Sequence, residues 1–356
     1  MKKLRVAIIG QGRSGRNIHG AFFKSESNEV AEVAAVVELD PERRARALTE
    51  YPGCSVHKHY SELYGRSDID LVVNATYSET HYSITRELLA NGMNVLVEKP
   101  FGRSGYECRD LIKLASDKGV KLAVFQQTFY APFYRFAYET AASGKLGKIE
   151  QVSIRYNGFA RRWDWQTLQR KLAGGVYNTG PHPIGLGLGF LDFDPDARVV
   201  YSRLATALTS GDGDDYAKII LAAPNRPLVD IEVTSVDAYS DYNLKLIGSR
   251  GTLKCTPSAY KMKYVVDGEN VERPVIVESL KDENGLPIYC SEKLITHEEE
   301  GGFDGNAFDR GTRRLYEQLR DYIFEDKPME VTTYTAMRIT EVIETVHAQN
   351  PLTMRF

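Results

Sequence analysis

The sequence predicts an α/β fold with two domains: a doubly wound parallel sheet, followed by an α+β domain with a large, mostly antiparallel open sheet. Over the first third of the chain, short apolar runs alternate with helical segments, which is typical of parallel βαβ units. After Gln126, runs that alternate apolar and polar residues predominate, as in strands with one buried face. A length of 356 residues exceeds what one core usually organises. We therefore predict domains over residues 1–127 and 128–356.

The elements of the first domain are predicted from apolar runs and from amphipathic spacing. Continuous apolar runs such as Leu71-Val72-Val73 indicate strands that are buried on both faces. The expected strands cover residues 4–9, 33–37, 69–74, 95–98 and 121–125. The helices between them are expected over residues 14–23, 41–51, 81–91 and 105–118.

The second domain is predicted to begin with a helix over residues 130–143 that ends at Gly144, since glycine favours helix ends. Its strands are expected over residues 150–156, 199–208, 216–222, 229–236 and 242–247. The segment Gly248-Ser249-Arg250-Gly251 lies between two strand-like runs and predicts a hairpin turn. Two helices, over residues 303–323 and 333–347, are expected to close the fold.

Composition argues against several classes of partner. A formal net charge of -3 gives no general attraction to nucleic acid or anionic lipid. The apolar run at residues 6–9 is too short for a membrane span or a signal-peptide core. The four cysteines lack metal-ligand spacing, so we expect free thiols in a reducing, cytoplasmic setting. The runs at residues 57–59 and 297–300 contain histidines but are interpreted as solvated segments, so no metal site is predicted.

The strongest local motif is a glycine-rich turn that follows the first strand and opens a helix. Gly10 permits the tight turn, Gly12 lets the backbone approach a pyrophosphate, and Gly15 lets helix and strand pack closely. The phosphates would meet free N–H groups at the positive end of the helix dipole. This context is that of a dinucleotide-binding Rossmann domain. The predicted cofactor-binding segment comprises Gly10, Gln11, Gly12, Arg13, Ser14 and Gly15.

The end of the second strand predicts the type of cofactor. Glu38 could accept hydrogen bonds from both hydroxyls of the adenosine ribose and would repel a 2′-phosphate. The next residue, Leu39, stands where an NADP-dependent enzyme often has a basic or small polar side chain. Arg43 and Arg44 are expected to face solvent. We therefore predict NAD rather than NADP.

A lysine follows the strand at residues 95–98, at the sheet edge where open α/β sheets place their ligands. The proline at position 100 favours extended geometry at Lys99, which would direct it into the crevice. A lysine beside a nicotinamide cation is pushed toward its neutral form. Lys99, in the segment Glu98-Lys99-Pro100, is therefore a candidate general acid or base.

A second polar constellation follows in the other domain. Asn178 and His182 are four residues apart, so both would lie on one face if a single helix carried them. The His182 imidazole could exchange a proton with a substrate hydroxyl near neutral pH. Just upstream, one loop contains both tryptophans, Trp163 and Trp165, beside Arg162. They could form a wall over the nicotinamide or a sugar, or equally a structural hydrophobic anchor.

These segments resemble the Gfo/Idh/MocA oxidoreductase family, which includes glucose–fructose oxidoreductase and inositol dehydrogenase. The resemblance covers nearly the full chain, through the glycine turn, the Glu98-Lys99-Pro100 motif and the segment from Gly174 to His182. It implies that Lys99 binds or deprotonates the reacting hydroxyl, and that His182 acts as acid/base or positions the substrate. It further places Thr76, His81, Glu98 and Gln127 around the cofactor, and Tyr130 and Arg162 in the substrate pocket.

Two departures from the family pattern affect this interpretation. Asn178 stands where many sugar and cyclitol dehydrogenases have Asp, and an amide cannot hold the charge that would strengthen His182 as a base. Either His182 is a weaker base here, or Lys99 does most of the proton transfer. Thr128 stands near a position where many relatives have Arg, which favours a neutral sugar or glycoside over an anionic substrate.

The leading hypothesis is NAD-dependent oxidation of a secondary hydroxyl on a sugar or glycoside, for example at C3, to give a keto-sugar. Dehydrogenation of inositol or another cyclitol is the closest alternative. A glycosidase that uses NAD transiently, and a non-enzymatic NAD-binding regulator, remain as other classes. The large sheet of the second domain is expected to leave an apolar face that a homodimer or homotetramer would bury.

Overall fold

A computed structural model of the chain describes residues 2–304 and 307–356, and it contains two sheets. The first sheet has six parallel strands in the order β3-β2-β1-β4-β5-β6, so successive strands are added on one side of β1 up to β3 and on its other side from β4 onward. This is the predicted doubly wound topology, and it opens a crevice at the carboxyl ends of β1 and β4. The strands are β1 Leu4–Ile9, β2 Ala31–Val37, β3 Ser55–His57, β4 Leu71–Asn74, β5 Val95–Val97 and β6 Leu122–Val124.

Helices cover both faces of this sheet. The predicted first helix is divided into a π-helical segment, Arg13–His19, and a short α1, Gly20–Phe23. It is followed by α2 Pro41–Glu50, α3 His81–Ala90 and α4 Gly105–Lys118. The side chains of Val72 and Val73 are fully buried on opposite faces of β4, as the continuous apolar run predicts.

The second sheet has eight strands in the order β14-β13-β12-β11-β7-β10-β9-β8, all antiparallel except the pair β7 and β10. The predicted hairpin is confirmed, because Gly248 and Gly251 pair across its turn. The strands are β7 Ile149–Asn157, β8 Arg198–Ala205, β9 Tyr216–Ala222, β10 Leu228–Thr234, β11 Leu244–Gly248, β12 Gly251–Cys255, β13 Ala259–Tyr264 and β14 His297–Gly302.

Four of the five α-helices described in the second part pack on this sheet, and the helix at residues 307–324 packs mainly against residues 127–130 and α1. The five helices are α5 Pro132–Ala142, α6 Gly175–Asn178, α7 Pro181–Phe190, α8 Ala307–Phe324 and α9 Thr333–Gln349. The glycines of α7 allow close approach, since a Cβ at Gly187 would lie 2.8 Å from Val229 Cγ1. None of the helices in the described ranges has the length and apolar character needed to span a bilayer.

Two expectations about these sheets were wrong. Residue 57 was expected in a solvated loop, but it ends the edge strand β3. Residues 297–300 are the charged surface run that was expected, and they form the edge strand β14. The charged residues of β14 face β13, where Glu298 lies 2.7 Å from Lys263 Nζ. The outer face of the central strands is polar rather than apolar, because Arg155 and Lys218 both pair with Asp230, at 2.9 and 2.6 Å.

Candidate active site

The glycine turn leaves open space at the carboxyl end of β1. Gly10 has a φ of +92°, and a Cβ there would lie 2.7 Å from the carbonyl oxygen of Ala75. At Gly15, a Cβ would lie 1.9 Å from the carbonyl oxygen of Gly10. A Cβ at Gly12 would meet no atom of the described residues within 4 Å. Buried Nε2 of Gln11 has no hydrogen-bond partner in the described part of the chain. The turn therefore fits a pyrophosphate, with Gln11 free to contact the cofactor.

Glu38, the residue predicted to contact the ribose, follows β2 and lies against the glycine turn. Its carboxylate accepts hydrogen bonds from the backbone N–H groups of Gln11, at 2.7 Å, and Asp40, at 3.1 Å. The Arg43 guanidinium lies 3.6 Å from the carboxylate, and Arg44 Nη1 donates to the Glu38 carbonyl at 2.5 Å. Thus Arg44 is held by the strand end rather than free in solvent, contrary to the expectation. The site places one carboxylate and two guanidinium groups close together.

Thr76 and His81 connect the loops that follow β4 and β5. The Thr76 hydroxyl donates to Asn74 Oδ1 at 2.7 Å. Burial lowers the pKa of His81, so its ring is neutral, and Nδ1–H donates to the Pro100 carbonyl at 2.8 Å. Nε2 of the same ring lies 3.3 Å from the Thr76 carbonyl oxygen. His81 therefore ties the loop after β4 to the segment that contains Lys99.

Lys99 crosses from the first sheet to the second. Its Nζ donates to the backbone carbonyl of Asn178 at 2.6 Å. Burial lowers the pKa of Lys99; the Glu98 carboxylate opposes this shift, and the charges of Arg13 and Arg162 add to it. A lowered pKa increases the fraction of Lys99 that is neutral and able to accept a proton.

Glu98 is 3% exposed and ionised. Burial opposes ionisation, but the hydrogen bond from His19 and the positive charge of Lys99 lower the pKa of Glu98 to about 2. One carboxylate oxygen lies 3.2 Å from His19 Nε2, and the other accepts the backbone N–H of Lys99 at 3.1 Å. His19 did not stand out in the sequence, where a histidine inside an amphipathic helix is indistinguishable from an ordinary core residue.

Asn178 and His182 do not share a helix, because α6 ends at Asn178 and α7 begins at Pro181. Their side chains bind different partners: Asn178 Oδ1 accepts from Gln166 Nε2 at 3.0 Å, and His182 Nδ1 lies 2.7 Å from Thr128 Oγ1. Burial lowers the pKa of His182, and the nearby charge of Lys99 lowers it further. His182 is therefore neutral, and its Nδ1 is bound to a hydroxyl. Thr128, which the sequence marked only as a departure from the family pattern, is the partner of that ring.

A solvent-connected cavity of about 530 Å³ lies beside these groups. The Tyr156 ring stacks near His182, with centroids 6.3 Å apart and an angle of 22° between the planes. Arg162 reaches the cavity and donates to Asp164 Oδ2 at 2.5 Å. Most lining side chains can form hydrogen bonds, and they include Tyr156, Arg162, Gln166, Asn178, Thr179 and Asp214. The cavity therefore suits a small molecule with several hydroxyl groups.

The remaining predicted pocket residues lie elsewhere. Trp163 is 80% exposed, so it is not an anchor in the core. The Trp165 ring contacts the edge of Tyr77 at a centroid distance of 4.8 Å, which joins its loop to the loop after β4. Tyr130 is buried, and its hydroxyl donates to Gln318 Oε1 on α8 at 2.9 Å, which favours a packing role over substrate contact. Gln127 is also buried, with Oε1 unpaired among the described residues.

An acidic loop at residues 212–215 supports this site, although the sequence analysis did not single it out. Asp214 Oδ2 accepts from the backbone N–H of Val176 at 2.8 Å, and its carbonyl accepts from Gly175 at 2.6 Å. Asp214 therefore holds the first turn of α6, the helix that presents the Asn178 carbonyl to Lys99. Gly174 must be glycine here, because its φ is +116° and a Cβ would lie 2.3 Å from Asp214 Oδ1.

Replacing Asp214 with Asn is expected to stabilise the protein increasingly as pH rises. Burial raises the pKa of Asp214 to about 7, against the opposing hydrogen bond from Val176. The folded state therefore keeps a proton that the unfolded chain loses near pH 4, so stability falls between about pH 4 and 7. Asp214→Asn removes this decrease in the free energy of unfolding, which amounts to up to about 4 kcal/mol for a pKa difference of about 3 units. Denaturant unfolding at about pH 5 and pH 8 measures the difference.

The matched control for this prediction is Asp212→Asn. Burial raises the pKa of Asp212, but hydrogen bonds from Arg355, Gln169 and Phe356 outweigh burial and lower it. Its charge therefore contributes stability above about pH 4, and the cost of the substitution should stay constant between about pH 5 and 8. Equal pH dependence in both variants would contradict the assignment for Asp214.

Comparison with known proteins identifies the family. The model of the oxidoreductase family with an NAD-binding Rossmann fold, Gfo/Idh/MocA, matches residues 4–126, and the model of the Gfo/Idh/MocA C-terminal domain matches residues 134–254. An oxidoreductase of Schizosaccharomyces pombe is 29% identical over 186 residues, which cover 52% of this chain and 50% of that protein. Inositol 2-dehydrogenase 2 of Saccharopolyspora erythraea is 26% identical over 261 residues, 72% of this chain and 74% of that protein.

Solved structures share the fold over nearly the whole chain. An NAD-binding protein from Listeria innocua has a TM-score of 0.81 and 19% identity, covering 98% of both chains. A protein of gentamicin A biosynthesis, solved with NAD, has a TM-score of 0.76 and 22% identity, covering 98% of this chain and 94% of that one. A 3-ketoreductase from Actinomadura kijaniata, solved with NADP, has a TM-score of 0.77 and 16% identity, covering 98% of both chains. The chain belongs to the Gfo/Idh/MocA family of NAD(P)-binding oxidoreductases.

Proposed function

We propose that this protein transfers a hydride between NAD and a secondary hydroxyl or keto carbon of a sugar or glycoside. The observation that carries the proposal is the position of Lys99. Its Nζ donates at 2.6 Å to the carbonyl of Asn178, a residue that lines the polar cavity, and Lys99 follows β5 in the sheet that also carries the glycine turn. A proton acceptor, a hydroxyl-binding cavity and a pyrophosphate site are the three parts that such a reaction needs.

Each of these side chains has a distinct role in the oxidation. When bound, NAD accepts the hydride from the substrate carbon. Lys99, in its neutral form, accepts the hydroxyl proton at Nζ, while the carbon–oxygen single bond becomes a carbonyl. His182 remains neutral and hydrogen-bonds the same oxygen through Nε2, while Thr128 binds Nδ1 and holds the ring in place. Reduction of a keto group reverses these steps, with Lys99 as the proton donor.

Glu38 supports the choice of NAD, and its replacement is expected to change the cofactor preference. Glu38→Ser removes the carboxylate that would repel a 2′-phosphate, while Arg43 and Arg44 remain beside the site. The ratio of NADPH to NADH affinity should rise by about 10- to 100-fold, the worth of a hydrogen bond to a charged group. Fluorescence titration with NADH and with NADPH measures this affinity ratio and needs no substrate.

Glu42→Ser is the matched control, since Glu42 is an exposed carboxylate on α2 that does not contact the ribose end. This control should leave the ratio unchanged. A wild-type protein that already prefers NADPH would contradict the choice of NAD.

A neutral polyhydroxylated substrate fits the cavity and the known relatives. The lining supplies hydroxyl, amide and guanidinium groups. The family resemblance implies an arginine near position 128, and this chain has instead a neutral hydroxyl that contacts His182. One relative is an inositol 2-dehydrogenase, and one structural neighbour is a 3-ketoreductase. Oxidation of a cyclitol such as inositol is therefore the second candidate.

The experiment is a substrate panel with the purified protein. Monosaccharides, glycosides, inositols and their keto forms are supplied with NAD or NADH, and the absorbance of reduced nicotinamide is followed. We expect turnover with a sugar or glycoside. Turnover with inositols alone would favour the second candidate. A protein that binds NAD but oxidises none of them would contradict both.

A further inference from the structure

Three buried polar side chains from separate parts of the chain form one hydrogen-bonded series next to Lys99. His19 ends the segment that follows the glycine turn, Glu98 follows β5, and Tyr316 lies on α8. Their exposed fractions are 0%, 3% and 0%. The Tyr316 hydroxyl lies 2.7 Å from His19 Nδ1, and His19 Nε2 lies 3.2 Å from Glu98 Oε1.

The direction of donation follows from the charge of Glu98. An ionised carboxylate can only accept, so His19 Nε2–H must donate to it. Nδ1 of the same ring faces the Tyr316 hydroxyl, which can donate to it. Each of the three polar groups then has a hydrogen-bond partner. The second oxygen of Glu98 accepts the backbone N–H of Lys99, which completes the series.

Aromatic rings enclose this series and exclude water from it. The Phe22 ring stacks on Tyr316 at a centroid distance of 5.0 Å, with an angle of 9°. The Phe125 ring lies 4.4 Å from the His19 ring. In such a dry environment, the charge of Glu98 acts strongly on its neighbours, and an unpaired polar group is costly. Loss of any one hydrogen bond in this series would therefore leave a buried polar group without a partner.

We propose that Tyr316 and His19 are positioning residues that hold Glu98 as the anionic neighbour of Lys99, and so couple α8 to proton transfer at the active site. This inference rests on the proposed function for its catalytic meaning. The Glu98 carboxylate raises the pKa of Lys99, against burial and the charges of Arg13 and Arg162. His81 also lies near Glu98, but burial lowers its pKa and keeps the ring neutral, so it adds no charge there.

The test is the titration of Lys99, followed by carbon NMR of lysine side chains and assigned by comparison with Lys99→Met. His19→Leu leaves Glu98 without its donor, so the carboxyl takes up a proton and its charge is lost. The pKa of Lys99 should then fall by about 1 unit or more, the usual effect of losing one opposite charge. His19→Gln retains a donor that can reach Glu98 and should restore most of the wild-type value.

Two further variants separate this role from packing alone. Tyr316→Phe removes only the hydroxyl and should lower the pKa of Lys99 by less than His19→Leu does. Phe22→Leu disturbs the same aromatic cage without breaking a hydrogen bond, so it should lower the melting temperature and leave the Lys99 titration unchanged. In the oxidation assay, the rising limb of the pH–rate profile should move to lower pH most in His19→Leu, less in Tyr316→Phe and not at all in Phe22→Leu.

The inference also predicts the tautomer of His19 in the ligand-free protein. Nitrogen NMR of the histidine rings should show a proton on Nε2 of His19, assigned from its loss in His19→Gln. A proton on Nδ1 would overturn the proposal, and so would a Lys99 pKa that His19→Leu leaves unchanged. If His19→Leu fails to fold, the proposal is tested by the Lys99 titration in Tyr316→Phe and by the position of the His19 proton. Both NMR measurements need no substrate, so a failure of the proposed function is distinguishable from a failure of this inference.

Discussion

Lys99→Met is expected to lower kcat by about 10³-fold or more, while the Kd for NAD changes little. The methionine keeps the length of the side chain but cannot accept or donate the hydroxyl proton, and general acid–base catalysis contributes about 10²–10⁴-fold. Lys99 Nζ bonds to the Asn178 carbonyl rather than to the glycine turn, so cofactor binding should persist. Steady-state kinetics on the responsive sugar and titration with NAD measure the two effects.

Lys99→Arg is the matched control for the role of the proton. Arginine keeps the positive charge and can still donate to the Asn178 carbonyl, but it does not deprotonate near neutral pH. We therefore expect Lys99→Arg to be nearly as slow as Lys99→Met in oxidation. An active Lys99→Arg protein would mean that the charge of Lys99, and not its ability to exchange a proton, supports the reaction.

His182→Ala is expected to lower kcat/KM by about 10²–10⁴-fold, because the reacting oxygen loses the ring that orients it beside Lys99. Since burial keeps the ring neutral, the pH–rate profile of the wild type should show no inflection from His182 between about pH 5 and 7. We expect the inflection of the pH–rate profile to come from Lys99, so it should be lost in Lys99 variants and retained in His182→Ala.

Thr128→Val tests the same assignment through the partner of His182. Valine preserves the volume but leaves His182 Nδ1 without the hydroxyl that lies 2.7 Å away. The expected loss in kcat/KM is about tenfold, the value of one hydrogen bond of about 1.4 kcal/mol. A Thr128→Val protein that is as impaired as His182→Ala would indicate that Thr128 itself contacts the substrate.

The geometry of the glycine turn could be predicted because its requirements are local. The strand, the glycine turn and the helix start lie within one continuous segment, and the φ of Gly10 and the close packing at Gly15 follow from that geometry. The Lys99 motif was also recognisable, since a strand end and a proline define its position. The division of the chain after residue 127 stays a prediction.

The partners of the catalytic candidates could not be predicted, because they depend on contacts between distant segments. Thr128 and His182 are 54 positions apart, and His19 and Tyr316 are 297 positions apart. The helix break between Asn178 and His182 was missed because their spacing of four residues equally fits one continuous helix. The edge strand β14 was missed because its Glu-rich sequence has no apolar alternation, and its carboxylates are instead paired with lysines of β13.

The most direct test of the central claim is to follow the hydrogen itself. A responsive sugar or glycoside is labelled with deuterium at the carbon that carries the reacting hydroxyl, and the cofactor is examined by mass spectrometry after one turnover. The account predicts that the deuterium appears in NADH and that an equal amount of keto-sugar is formed. Deuterium that stays in the sugar while a glycosidic bond is hydrolysed would contradict net oxidation and would establish a redox-neutral hydrolysis in its place.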